Sequence, residues 1–191
     1  MGIKKEDAIA AYNAADENTR QVLLSLVPEL KKAVETKSIT ERVKTFEDAV
    51  EILGEEHPFV CAYYCIEDVD ECYNDIAAFV KLRIICAALN EGWEPQFTEN
   101  EERWYPWFTL WTEEELSEKS DEGKADRHLI LTGDYTGDYA GFVYAFSRKV
   151  PSNTSTYLGS RLCLKSEALA TYCGKQFISL WADFNLIRKQ S

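Results

Sequence analysis

The chain has 191 residues, 46% of them hydrophobic, which is enough for one large domain, or a domain with a helical appendage, around a sizeable core. Its formal net charge is -12, so phosphate repulsion argues against general binding of duplex nucleic acid unless a local basic patch overcomes it. No segment is apolar enough for a signal peptide or a membrane span, so we expect a cytoplasmic protein without a membrane partner.

The first 54 residues predict a helical N-terminal region, followed by an α+β domain over residues 55–191; one continuous domain is the alternative. Residues 4–16 are alanine-rich and predict a first helix. A second helix is predicted to begin near Thr19, and Pro28 must kink or restart it.

A short third helix is predicted after Thr45, which is a suitable N-cap with Asp48 three residues later. Gly54 is expected to end this helix.

Six cysteines lie in apolar segments without the spacing of a disulfide framework, so we predict that they are reduced and buried. His57, Cys61 and Cys65 recur every four residues and would share one helical face, as the start of a zinc site requires. Because no CxxC pair occurs and His128 is the only other histidine, we predict no metal and no cofactor. The remaining cysteines are Cys72, Cys86, Cys163 and Cys173.

An apolar helix that ends at Gly92 is predicted to be central, because its apolar positions cover more of the circumference than a surface helix needs. Lys81 and Arg83 interrupt the apolar surface. They either extend their stems along the core with their charges in water, or face an anionic ligand. The acidic residues that mark the start of this helix are Asp68, Asp70 and Glu71.

The segment WYPWFTLW at 104–111 predicts a strand that is apolar on both faces, so it is either covered on both or keeps one face for a partner. Pro106 lacks a ladder donor and favours an edge position. Trp104 and Trp107 could stack on bases, sugars or another subunit, and the alternative is that these rings form core.

Thr112 and Glu115 form a capping box that predicts a short acidic helix. Residues 119–127 predict a solvated loop, and residues 129–131 predict a short strand. The sequence TGDYTGDYAG at 132–141 predicts a turn or hairpin tip, because it lacks the ligand alternation of a calcium loop.

The C-terminal third is the part of the chain expected to face an anion, since residues 142–191 contain seven basic and two acidic residues. A strand at 141–150, a short strand at 160–165 and one long amphipathic helix are predicted here. Ser166 is the expected N-cap, and with Arg161 and Lys165 it forms the best anion-binding group in the sequence. Most helices begin with such a cap, so a purely structural role is the alternative.

Helices, then strands, then a final helix predict an α+β fold, in which a small antiparallel sheet packs against two long helices. We expect the sheet to contain Trp104, Phe142 and Arg161, and the two helices to contain Phe79 and Phe177.

Four segments, ITERVKTFEDA, KLRIICAALNEGW, YPWF and GSRLCLKSEALATYCGKQF, resemble an uncharacterised protein family of gut anaerobic bacteria and their tailed phages. The resemblance extends from about Ile39 to Ile187. It implies no established activity, only a role near DNA metabolism or host takeover.

Three classes of function are compatible with these patterns. We favour a non-enzymatic protein that binds single-stranded nucleic acid or another anionic ligand, by stacking rings beside cations. The alternative is a structural or protein-interaction module, including a homo-oligomer, that assembles through the aromatic edge strand. An enzyme is less favoured, because no nucleophile and base pair, GxGxxG or P-loop is visible, and we assign no catalytic residue. The candidate binding residues are Lys81, Arg83, Trp104, Trp107, Arg161, Lys165 and Ser166.

Overall fold

A computed structural model of the chain describes residues 8, 11–12, 14–27, 38–66, 74–96, 98, 101–151 and 160–189. The chain divides into two compact units, Met1–Arg42 and Val43–Ser191.

The smaller unit contains two described helices, α1 (Glu17–Leu26) and α2 (Ile39–Arg42). Helix α1 begins at Asp16, whose carboxylate accepts a hydrogen bond from the Thr19 amide at 2.8 Å. Of the helix predicted over residues 4–16, the structure describes residues 8, 11, 12 and 14 as helical. Pro28 lies outside the described residues.

The described helices at the start of the larger unit are α3 (Phe46–Leu53), α4 (Pro58–Tyr64) and α5 (Asn74–Asn90). The capping box of Thr45 and Asp48 at the start of α3 is confirmed, and Gly54 ends the helix with a φ of 84°. Helix α3, which the sequence grouped with the N-terminal helices, packs on α5. The division of the chain at residue 54 stays a prediction.

Helix α5 is the centre of the larger unit, as its wide apolar surface predicted. Leu82, Ile84, Ile85 and Leu89 are fully buried, and α5 packs against helices on several sides. The helix ends before Gly92, which has a φ of 83°. The acidic residues at 68, 70 and 71, expected to mark its start, lie outside the described residues.

The sheet is small and antiparallel, with strand order β1-β3-β2. Because β1 is an edge strand, the position predicted from Pro106 is confirmed. The register of β1 with β3 shifts between Trp107 and Phe108, which pair with Phe146 and Tyr144, so the regular alternation expected along β1 is interrupted there. The strands are β1 (Glu102–Trp111), β2 (Ile130–Leu131) and β3 (Gly141–Pro151).

The third strand of the sheet is β2, and the strand predicted at 160–165 is wrong. Ser160–Leu162 forms a turn of 3-10 helix, and the pairing that remains is an isolated bridge between Trp104 and Leu164. Within this segment only Leu164 pairs with β1, because the chain before it is coiled into the 3-10 turn and the groups on either side of it bind α5: the side-chain amide of Asn90 donates to the Cys163 carbonyl at 2.9 Å and accepts from the Lys165 N–H at 3.0 Å. These backbone groups bind a helix side chain in place of a neighbouring strand.

The long final helix predicted from the sequence is two helices, α8 (Glu167–Gln176) and α9 (Ile178–Asn185), separated by the buried residue Phe177 at φ -112° and ψ 31°. The break lets α8 pack on β1 and β3 while α9 packs on α5. Helix α8 lies very close to the sheet, since a Cβ at Gly174 would be 2.6 Å from the Cβ of Pro106.

Two short helices follow β1, named α6 (Glu113–Glu118) and α7 (Asp121–Asp126). The capping box of Thr112 and Glu115 on α6 is confirmed. The loop expected at 119–127 is wrong, because the Ser120 hydroxyl accepts from the Gly123 amide at 3.1 Å and caps α7.

The segment between β2 and β3 is a turn region, as predicted, and it binds residues 187–189. The Thr136 N–H donates to the Ile187 carbonyl at 2.8 Å, and the Lys189 N–H donates to the Asp134 carbonyl at 2.9 Å.

The larger unit therefore has an α+β fold in which a three-stranded antiparallel sheet packs against helices, as the sequence predicted. No helix within the described ranges is both long and apolar enough to cross a bilayer.

Candidate anion-binding cleft

A cleft of about 310 Å³ lies in the larger unit, between the start of α4, the second half of α5 and the 3-10 turn. Residues that line it include Leu53, His57, Phe59, Arg83, Trp93 and Arg161. Its walls are mostly apolar, and two guanidinium groups from distant parts of the sequence line the same space.

Arg83 is held in the cleft by an aromatic ring. Its Cζ lies 3.9 Å from the centroid of the Phe59 ring, which is close enough for the guanidinium to stack on the ring face. Phe59 is fixed in the first turn of α4, because Pro58 occupies the first helical position and His57 Nδ1 accepts from the Phe59 amide at 3.2 Å. The guanidinium is therefore oriented before any ligand arrives.

Arg83 Nε is buried and has no hydrogen-bond partner among the described residues. Burial, and secondly the positive charge of Arg161, lower the pKa of the Arg83 guanidinium. Both effects disfavour the charged form of the Arg83 guanidinium, and the negative charge of a bound anion would offset them.

Arg161 enters the cleft from the 3-10 turn, and its side chain is exposed. Asn90 holds the chain that follows this turn through its bonds to Cys163 and Lys165, and it is only 5% exposed. This buried amide fixes the backbone that carries Arg161 against α5.

Neither Arg83 nor Arg161 has a carboxylate within ion-pair distance among the described residues; the ion pairs found there involve other cations. Lys165 is one of these cations, with its Nζ 3.0 Å from an oxygen of Glu91. Glu94 lines the cleft and is exposed. Within the described part of the chain, the two guanidinium groups therefore share the cleft without a carboxylate at ion-pair distance, although Glu94 lines the same space.

Trp93 supplies an aromatic wall. The helix end at Gly92 turns the chain back, and the Trp93 amide donates to the Asn90 carbonyl at 3.0 Å. The side chain is half-buried and lines the cleft.

Of the seven candidate binding residues, the structure brings Arg83 and Arg161 together in this cleft. Lys165 lies nearby but pairs with Glu91, and the Ser166 hydroxyl accepts from the Leu169 amide at 3.3 Å as the cap of α8. Their assignment to a ligand stays a prediction.

The other three candidates lie outside the lining of the cleft. Lys81 Nζ lies 5.4 Å from the centroid of the Phe46 ring, a cation–π contact. Trp104 is half-buried on β1 beside the bridge to Leu164. Trp107 is part of a separate exposed surface.

That surface is an aromatic pair on the sheet, which we call the Trp107 pair. The rings of Trp107 and Phe146 are stacked with centroids 6.0 Å apart and an angle of 8° between their planes. They are 38% and 51% exposed, respectively, and the Arg148 guanidinium lies 6.0 Å from the Trp107 centroid. Trp107 belongs to the edge strand β1, and Phe146 lies beside it on the central strand β3.

Five cysteines are described, and none of these five forms a disulfide. Cys86, Cys163 and Cys173 are buried as predicted, but the predicted burial of Cys61 and Cys65 is wrong, because Cys61 is exposed on α4 and Cys65 is exposed at its C-cap. Burial raises the pKa of the Cys163 thiol to about 11. Cys72 lies outside the described residues.

Within the described ranges, no group of three or more histidine, cysteine or acidic side chains is arranged to hold a metal. His57 caps α4, and the Cys61 thiol donates to the Glu55 carbonyl at 3.2 Å.

Sequence analysis missed four residues that build the cleft: His57 as a cap, and Phe59, Asn90 and Trp93. The ALNEGW segment contained a signal for two of them. Asn90 is a polar residue at the end of an apolar helix, and Trp93 is an aromatic residue directly after the glycine turn. Nothing local indicated that Phe59 would lie under Arg83.

No protein-family model, curated protein or solved structure matches this chain. The resemblance of residues 39–187 to an uncharacterised family of gut anaerobic bacteria and their tailed phages therefore stays a prediction, and the geometry of the cleft is the basis for a proposed function.

Proposed function

We propose that this protein binds single-stranded nucleic acid or another anionic ligand in the cleft formed by Arg83 and Arg161. The observation that carries this proposal is the convergence of two guanidinium groups without a carboxylate partner among the described residues. Two unneutralised cations in a mostly apolar cleft are unfavourable alone and favourable around an anion. The chain carries a net charge of -12, so the protein as a whole repels anions and the attraction for an anionic ligand must be local.

Trp93 and the size of the cleft favour a single strand over a duplex. At about 310 Å³ the cleft has room for one small group, and an unpaired base could lie against the Trp93 ring. Bases in a duplex are already stacked, and its two phosphate chains would approach a surface of net negative charge. Single strands should therefore bind better than duplex.

The same proposal includes a role in or near phage DNA metabolism, and this part of it rests on the sequence resemblance alone. The proposal includes no catalytic step.

The test is a titration of a fluorescent single-stranded oligonucleotide against the wild type and an Arg83→Gln, Arg161→Gln double variant. Loss of two charge-assisted contacts should weaken binding by about tenfold or more at low salt. Two phosphate contacts also predict that the logarithm of the binding constant falls against the logarithm of salt concentration with a slope of about -1.4.

A matched control removes the same charge elsewhere. Lys124 and Lys149 lie on α7 and β3, outside the lining of the cleft, and a Lys124→Gln, Lys149→Gln double variant should bind nearly as well as the wild type. Equal losses in both double variants would mean that net charge governs binding, and the proposal would be wrong.

A second candidate function is assembly through the Trp107 pair, because two large stacked rings are exposed beside Arg148. Sedimentation of the wild type and a Trp107→Ser, Phe146→Ser variant tests it. A wild-type dimer that becomes a monomer in the variant would support assembly, whereas a monomer in both would exclude self-association through this surface.

A further inference from the structure

We infer that the cleft recognises the terminal phosphate of a phosphomonoester, such as the end of a single strand or a free nucleotide, and not the phosphodiesters inside a strand. This inference rests on the proposed function and specifies its ligand.

Charge is the first argument. Arg83 and Arg161 present two positive charges to one space, with no carboxylate within ion-pair distance among the residues that the structure describes. A phosphodiester carries a single negative charge, whereas a phosphomonoester carries about 1.5 to 2 near neutral pH. The monoester is therefore the phosphate whose charge matches the two guanidinium groups, while the Glu94 carboxylate that also lines the cleft lies beyond ion-pair distance of both.

Donor geometry is the second argument. The stack on Phe59 at 3.9 Å fixes the plane of the Arg83 guanidinium, and because Nε is buried, the terminal Nη groups are its donors to a ligand. A guanidinium presents parallel N–H donors that match two oxygens of one phosphate. Three unesterified oxygens on a terminal phosphate serve two guanidinium groups, while an internal phosphodiester has only two.

The size of the cleft and the acidic residues at its edge supply the third argument. The cleft of about 310 Å³ lies at the lower end of the usual range for small-ligand pockets, roughly 300 to 1,000 Å³. Glu91 and Glu94 are exposed at the turn that follows α5, and Glu94 lines the cleft. Lys165 neutralises Glu91 in part, but the carboxylate of Glu94 would repel a strand that continued with further phosphates in its direction. An end fits this arrangement better than an internal segment.

The experiment compares oligonucleotides of one sequence and length with three ends: a terminal phosphate, the same phosphate capped as its methyl ester, and a free hydroxyl. Each competes with a fluorescent strand that bears a terminal phosphate, at low salt. Phosphates at the 5′ and 3′ ends are tested separately, and inorganic phosphate is included as a competitor.

We expect the terminal phosphate to bind about tenfold or more tightly than the methyl ester and the hydroxyl end, since both lose a charge-assisted contact that the terminal phosphate keeps. Arg161→Ala should abolish this preference. Arg161→Lys retains the charge without the paired donors and should restore only part of it. Because Arg161 is exposed, both variants should fold, so the test does not depend on a variant of the half-buried Arg83.

Two results would overturn the inference in different ways. If all three ends bind equally and the Arg83→Gln, Arg161→Gln variant weakens all of them, the cleft binds phosphodiesters and only the specificity inferred here is wrong. If none binds at low salt, or binding is indifferent to the double variant, the proposed function fails together with the inference.

Discussion

Asn90 is a buried side chain that connects the stability of the fold to the cleft. Its two hydrogen bonds reach residues that are 73 and 75 positions away in the sequence. One amide thereby satisfies a backbone acceptor and a backbone donor next to the turn that carries Arg161. Without it, both groups would lose their partner beneath a buried segment.

We predict that Asn90→Ala lowers the free energy of unfolding by about 2 kcal/mol or more, because an unsatisfied buried polar group costs roughly 1 to 3 kcal/mol. It should also weaken oligonucleotide binding although it removes no charge. Urea denaturation and the binding titration measure the two effects. Unchanged binding in a folded Asn90→Ala variant would show that Arg161 does not need this support.

Tyr135 belongs to a small polar cluster beside the hairpin. Its hydroxyl donates to Asp183 at 2.7 Å, and Nε of Arg188 donates to the same carboxylate oxygen at 2.8 Å. Burial first, and then the bond to Asp183, raise the pKa of Tyr135 to about 12.

This shift predicts how stability responds to alkaline pH. The unfolded tyrosine titrates near pH 10, so above that pH the unfolded state has lost a proton that the folded state retains. The stabilisation is complete below about pH 10 and is lost as pH rises towards 12. Tyr135→Phe should therefore give a shallower decline in unfolding free energy across this range, measured by urea denaturation. A decline as steep as that of the wild type would contradict the assignment.

At the scale of elements, the sequence predicted what depends on neighbouring residues. The caps at Thr45 and Thr112 each involve a partner three residues away, and both are confirmed. The edge position of β1 followed from Pro106 alone, because proline lacks the N–H that an inner strand needs.

The failures at this scale arose from tertiary contacts. Residues 160–165 have strand-like composition, but their backbone binds Asn90. The break at Phe177 separates two helical segments with different partners, the sheet and α5. The cleft was predicted only in part, for the same reason. Arg83 and Arg161 were candidates because of their charge, whereas the Phe59 stack and the Asn90 hydrogen bonds join residues that are distant in the sequence and could not be predicted from it.

The two confirmed capping boxes should contribute different amounts to the free energy of unfolding. Helix α3 contributes a buried residue and packs on the central helix, whereas α6 contains no buried residue. Thr45→Ala should lower the free energy of unfolding by about 1 kcal/mol, because loss of the cap frays a helix that is part of the core. Thr112→Ala should have a smaller effect, since α6 can fray locally without global unfolding. Urea denaturation of both variants tests this order, and a larger effect at Thr112 would reverse it.

At the scale of the whole molecule, the net charge of -12 opposes both compaction and anion binding. Salt screens these repulsions, but it also screens the attraction between a phosphate and the cleft. The two properties should therefore respond to salt in opposite directions.

We predict that moderate sodium chloride raises the urea midpoint of unfolding while it weakens oligonucleotide binding. Both are measured on the wild type in the same buffers, with a neutral osmolyte as control for general effects of solute. A midpoint that falls with salt would mean that favourable ion pairs, and not net repulsion, dominate the electrostatics of the folded state.

The outer side of β1 has a consequence for aggregation. Trp104 already exchanges two backbone hydrogen bonds with Leu164, at 3.0 and 2.9 Å, and Pro106, which faces the same side of the strand, offers no N–H. A strand from a second molecule would therefore find no free backbone donor at Trp104 or Pro106, and of these two residues only the Pro106 carbonyl could accept, so sheet extension is disfavoured where the strand is richest in aromatic residues. Association through this stretch of β1 would then rest more on contacts between ring faces than on backbone hydrogen bonds.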